Sequence, residues 1–195
     1  MIFIRSIPTR RYLKYTAYRP YLRSDFKYRC SYCLLHESHN GGEANFTIDH
    51  HRPRGGNHAR PDLENEYTNL YWTCRECNQN KGSTWPSSEQ LAAGYAWIDP
   101  CETWGDHDLH WKIDSDGEIS WKSTTGEFTI KHLRLNRRSL LKRHWRNQHR
   151  WRLELDSLQE LVDSSVIPEP FLTQIAVIIT ELKLLISEPT HIHHL

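Results

Sequence analysis

Two CxxC pairs, Cys30-Ser-Tyr-Cys33 and Cys74-Arg-Glu-Cys77, constrain this chain more than any other feature. A CxxC turn sets two thiolates at the spacing of neighbouring tetrahedral ligands, and two such turns complete a four-cysteine zinc site. With all four positions taken by protein, such a zinc is structural. Its binding energy stands in for the apolar core that the polar stretch between the pairs lacks. A thioredoxin-like redox role fits poorly, because neither pair sits in a βαβ context. Cys101 is left over and is expected to be an inert thiol.

Between the pairs the pattern changes three times. NFTIDHH alternates Phe46 and Ile48 against Thr47 and Asp49, as a half-buried strand does. Arg52 to Tyr67 is rich in Gly, Pro, Asn and charge and reads as a loop. NLYWTC is strand-like, and CRECNQNKG reads as a short helix stopped by Gly82. Upstream, residues 1–29 read as an extended basic segment ending in a short helix near YRPYLRSDFK. Downstream, residues 86–130 read as irregular, with a hairpin formed by DLHWKID and GEISWKS. From residue 131 on, Leu133, Leu140, Leu141, Trp145, Trp151, Leu155, Leu158 and Leu161 recur at helical spacings. Ile167-Pro168-Glu169-Pro170 interrupts the pattern before a last apolar helix, Phe171 to Ser187. The expected fold is therefore α+β: a zinc-stapled finger at residues 30–85 and a helical C-terminal region at 131–195.

The net charge of +1 hides strong polarisation. Residues 1–30 carry eight Lys or Arg against Asp25 alone, and Lys131 to Arg152 carries nine against no acid. A basic surface of this kind suits a phosphate backbone. No apolar run is long enough to span a bilayer, and MIFIRSIPTRR lacks the core of a signal peptide. A cytoplasmic protein with reduced cysteines and no membrane partner is expected.

The ordered set CxxC, Asp49-His50, a Gly-rich loop, Asn69-Leu70 and CxxCNxxKG resembles the HNH endonuclease family over residues 30–82. That resemblance implies a ββα-metal core and metal-dependent hydrolysis of phosphodiester bonds in DNA. The residue types suit the chemistry. His50 can be neutral at working pH and accept a proton from water. Asp49 and the amide of Asn78 offer hard oxygens to Mg²⁺ or Mn²⁺. By resemblance, the ion would hold the scissile phosphate and neutralise the leaving 3′ oxygen, and Asn69 would fix the loop that orients His50. The family often has His where this chain has Asn78, and Asn favours a hard ion over zinc there. His51 is an ambiguity, because an adjacent His is a metal ligand in some relatives; successive strand residues point to opposite faces, which favours His50 as the base. Lys81, Arg52 and Arg54 are expected at the nucleic-acid phosphates. Asp106, His107, Asp108 and His110 form a cluster on paper, but with no motif around them they are expected to be polar rather than metal-binding.

Outside the finger, MIFI, YRCSYC, HHRPR, IDPCE and GEFTIKHLRLNRRSLLKR resemble, more loosely, bacterial anti-phage HNH nucleases of the Septu-type and retron-linked group. His51 departs from the Phe usual there. In those systems the nuclease works beside an ATPase, so the resemblance implies such a partner. Two other readings stay open: a zinc-stabilised nucleic-acid-binding module that does not cleave, and a structural subunit that activates an ATPase.

Overall fold

A computed structural model describes residues 2–137, 139–164 and 168–187. The chain divides into two compact units: one comprises the chain up to Lys112 together with Ile119–Leu141, the other Ile113–Glu118 with the chain from Lys142 on.

The first unit is built around the finger. Strands β1 (Phe46–His50) and β2 (Leu70–Cys74) pair antiparallel, with Phe46 opposite Cys74, Asp49 opposite Tyr71 and His50 opposite Leu70. This register sets the end of β1 beside the start of β2. The loop between them makes two short 3-10 turns, Pro61–Leu63 and Tyr67–Asn69. Helix α2 (Arg75–Lys81) follows β2 directly, and its first turn is capped by the Cys74 sulfur, which accepts from the Cys77 amide. Gly82 ends it at φ 52, a conformation that suits Gly. Strand, loop, strand and helix thus occur where the sequence places them.

Helix α1 (Arg19–Asp25) realises the expected helix before Cys30. Its Leu22, with Tyr18 and Phe26, packs inside, and Phe26 sits 4.9 Å from Phe3 between ring centroids. The extended N-terminal segment is therefore part of this core. Its charges are largely used within the fold. The Arg5 guanidinium donates to the carbonyls of Tyr67 and Leu70 and lies 4.5 Å from the Tyr71 ring centroid. Arg19 bonds Glu43, Arg23 bonds Glu37, and Arg29 is buried with a bond to the Leu34 carbonyl. The extended basic segment is to that extent a set of internal staples.

The stretch expected to be irregular contains three helices: α3 (Ser88–Ala92), α4 (His107–His110) and α5 (Thr124–Leu133). Ser87 and Gln90 make a capping box on α3, and Ser123 caps α5 through the Gly126 amide. The hairpin exists but is short, β3 (Trp111–Ile113) with β4 (Ile119–Trp121), because α4 takes the residues before Trp111. Gly126 lets the start of α5 approach α4: a Cβ there would meet the His110 carbonyl oxygen at 2.1 Å.

Helix α6 (Ser139–Asp163), which enters the second unit at Lys142, and α7 (Glu169–Ser187) supply the expected C-terminal helices. The Asp114–Glu118 turn is tied to α6 by the Lys142–Glu118 ion pair and by Arg146 on the Asp116 carbonyl. Ile167 and the terminal HIHHL lie outside the described residues. No helix among the described residues is long and apolar enough to cross a membrane.

Candidate active site and zinc centre

The four cysteines Cys30, Cys33, Cys74 and Cys77 are buried, and their sulfurs lie within 4.8 Å of one another. The first pair sits on a tight turn in which the Leu34 amide bonds the Cys30 carbonyl and Leu34 takes φ 57. The second pair straddles the start of α2. Hydrogen bonds from the other thiols hold Cys74 far below the usual thiol range, whereas bonding to Cys30 and burial push Cys33 and Cys77 up. Four soft donors at tetrahedral spacing fit zinc, which would stabilise the thiolates together. Arg137 adds positive charge, with one guanidinium nitrogen 3.6 Å from the Cys77 sulfur and an ion pair to Glu76 at 2.6 Å.

Between the first two cysteines lies Tyr32, fully buried, whose hydroxyl donates to the Asp49 carboxylate at 2.8 Å. The cysteine centre is thus joined to Asp49 by one side chain. Asp49 also accepts from Lys81 at 3.2 Å, and the same ammonium donates to the His50 carbonyl at 2.7 Å. Lys81, expected at a nucleic-acid phosphate, is instead enclosed at 0% exposure. It faces inward because Asp49 and the His50 carbonyl lie against the end of α2.

The His50 ring has its Nε2 2.9 Å from the Glu64 carbonyl oxygen. A carbonyl only accepts, so Nε2 carries the proton and Nδ1 is the free base. Burial lowers the His50 pKa from its ordinary value, which keeps the imidazole neutral. Tyr15 stands edge-on to the ring at 4.7 Å, and Arg54 lies over Tyr15 at 5.3 Å while pairing with Glu64 at 2.7 Å. Asn69 holds the loop from behind: its Oδ1 accepts from the Arg52 amide, and its Nδ2 donates to the carbonyls of Arg52 and Leu63. Leu63 precedes Glu64, so these bonds set the carbonyl that orients His50.

For a divalent ion the chain offers two hard oxygens. Asp49 faces α2, as its contact with Lys81 shows, and Asn78 lies one helical turn before Lys81. No hydrogen bond engages the Asn78 side chain among the described residues, and it is half-buried. The donor types suit Mg²⁺ or Mn²⁺, with Lys81 sharing the same carboxylate.

His51 stacks on Tyr71 at 5.0 Å and meets Trp85 edge-on at 5.5 Å. Burial pulls its pKa down to about 4, so it is neutral at pH 7. His107 and His110 are buried and hydrogen-bonded, to the Ser31 carbonyl and to Ser123 and the Trp104 carbonyl respectively. They fasten α4, and the four cysteines are the metal-compatible cluster among the described residues. Burial raises the Cys101 pKa to about 12, consistent with an inert thiol. Sequence reasoning did not single out Tyr15 or Tyr32. Tyr32's place inside a CxxC pair was the available signal; Tyr15 gave none.

The HNH endonuclease family model matches residues 30–84, the span that holds the cysteines, Asp49, His50, Asn69 and Asn78. The chain therefore carries an HNH endonuclease domain over that span. It is also similar to the Septu protein PtuA of Bacillus mycoides (strain KBAB4), at 29% identity over 142 residues. The match covers 62% of this chain and 19% of that relative, so the chain spans about a fifth of its length. No solved structure matches the chain.

Proposed function

We propose that this chain is a divalent-ion-dependent endonuclease acting on DNA, with His50 as general base and Asp49 and Asn78 as ligands of Mg²⁺ or Mn²⁺. The observation that carries the reading is the His50–Glu64 hydrogen bond, which fixes the imidazole with its basic Nδ1 free. Nδ1 takes the proton from the attacking water, and the Glu64 carbonyl steadies the imidazolium that forms. Asn69 is the positioning residue behind that carbonyl. A bound divalent ion would supply charge neutralisation at the phosphoryl and leaving oxygens. Zinc on the four cysteines would hold the scaffold, and through Tyr32 it would also fix Asp49.

The similarity to a Septu protein, with the defence-linked sequence features, supports a place in a bacterial anti-phage system. We place the protein in the cytoplasm beside an ATPase subunit. Incubating supercoiled plasmid with the purified chain and Mg²⁺ or Mn²⁺ tests the reading: nicking that His50→Ala abolishes is expected.

One observation favours a second reading, a non-catalytic docking or DNA-binding subunit. Lys81 already neutralises Asp49, and Asp49 as a residue is only 3% exposed. That reading predicts no cleavage with any divalent ion, alone or beside an ATPase partner.

A further inference from the structure

The loop that follows His50 holds a cluster of polar nitrogens that the chemistry above does not use. Arg52 lies two residues beyond the base, with its guanidinium carbon 4.1 Å from the Trp85 ring centroid. Arg52 Nε, Trp85 Nε1 and His51 Nδ1 are each buried without a hydrogen-bond partner. His51 and Trp85 are in ring contact, so the three nitrogens belong to one small region. The neighbouring arginines differ: Arg54 pairs with Glu64, and Arg60 with Asp62. Among the described residues the Arg52 guanidinium makes no ion pair, although the Asp62 charge, already paired with Arg60, acts on it from further away.

Buried donors are ordinarily satisfied, so the enclosed Arg52 Nε and Trp85 Nε1 without partners call for an acceptor. Arg52 is half-buried as a whole, with Nε its enclosed nitrogen, and Asn69 pins the backbone that carries it. Stacking on Trp85 leaves the guanidinium edge open. Arg52 Nε–H and Trp85 Nε1–H are both donors, and a phosphate oxygen accepts from each.

We propose that Arg52, Trp85 and His51 form a phosphate subsite that grips the DNA backbone beside the scissile bond. The inference rests on the nuclease reading and adds to it a residue, Trp85, just beyond the finger. Arg52 is the charge of the subsite, Trp85 both its platform and its second donor, and His51 its wall.

The test is binding of a fluorescein-labelled DNA duplex to the full zinc-loaded chain carrying His50→Ala, followed by anisotropy over a salt series. Arg52→Met is expected to weaken binding about 10-fold and to lower the salt slope by about one. Trp85→Phe keeps the platform but loses the donor, and is expected to weaken binding a few-fold with the slope unchanged. Zinc content and circular dichroism equal to the parent show that both variants fold. Unchanged affinity and slope in both variants, with divalent-dependent cleavage by the wild-type chain, would overturn the subsite and leave the nuclease standing. A parent that binds no duplex would sink both. Arg52→Met that retains DNA binding but loses a co-purifying protein would also overturn it, since the cation would then face an acidic partner.

Discussion

His50 Nε2 lies 2.9 Å from the carbonyl oxygen of Glu64, fourteen residues further along the chain, and that single contact decides which nitrogen of the ring is the base. Asn69 bonds both ends of the intervening loop, at the Arg52 amide and at the Leu63 carbonyl next to Glu64, and so holds that carbonyl indirectly. Base, carbonyl and amide form a relay of position rather than of protons.

Asn69→Ala removes three hydrogen bonds from a buried amide. Cleavage is expected to fall at least about 10-fold and stability by about 1–3 kcal/mol. Cleavage measured well below the melting midpoint separates the two effects. Full activity at such a temperature would show that the loop needs no anchor.

The pH–rate profile reports the state of His50. Burial disfavours the imidazolium, so the basic form persists to lower pH than for a free histidine. The rate is expected to rise with pH through an apparent pKa below about 6.5 and to be level near pH 7. An acidic limb centred above that value would contradict the assignment.

His51→Phe tests the neighbouring ring. The folded His51 has a pKa of about 4 against an ordinary 6.5, so between those values the unfolded chain binds the extra proton. Stability is therefore complete above about pH 6.5 and is lost as pH falls toward 4, by at most about 3 kcal/mol. Asp99, Lys81, Arg5 and Arg52 act on the same ring. Urea midpoints at pH 7 and pH 5 are expected to differ less for His51→Phe, which keeps the stacking on Tyr71. Equal pH sensitivity in both proteins would count against a buried neutral histidine.

Arg137→Met removes the guanidinium beside Cys77. Competition with a chromophoric chelator is expected to show zinc held about 10-fold less tightly. Cys77→Ser should abolish tight binding and unfold the finger. Unaltered zinc affinity in Arg137→Met would mean that the thiolates need no outside charge.

Much of the finger was legible because its signals are local. The alternation of Phe46 and Ile48, the glycine at 82 and the CxxC spacing each declare an element within a few residues. Lys81 was misread for a physical reason: a lysine is almost always solvated, and only the long-range approach of Asp49 and the His50 carbonyl makes an enclosed one stable. Helix α5 was missed because its threonines and glycine, TTGEFTI, have modest helix propensity; packing against α4 and the Ser123 cap outweigh it. Tyr15 reaches His50 from outside the finger, and no spacing rule links the two.

The most direct test compares wild-type chain and His50→Ala on supercoiled plasmid, with Mg²⁺, Mn²⁺ or no divalent ion, zinc retained in both. The account predicts divalent-dependent nicking by the wild type and a loss of about 10²-fold or more in the variant. Equal cleavage by the two proteins would contradict the central claim that His50 is the base.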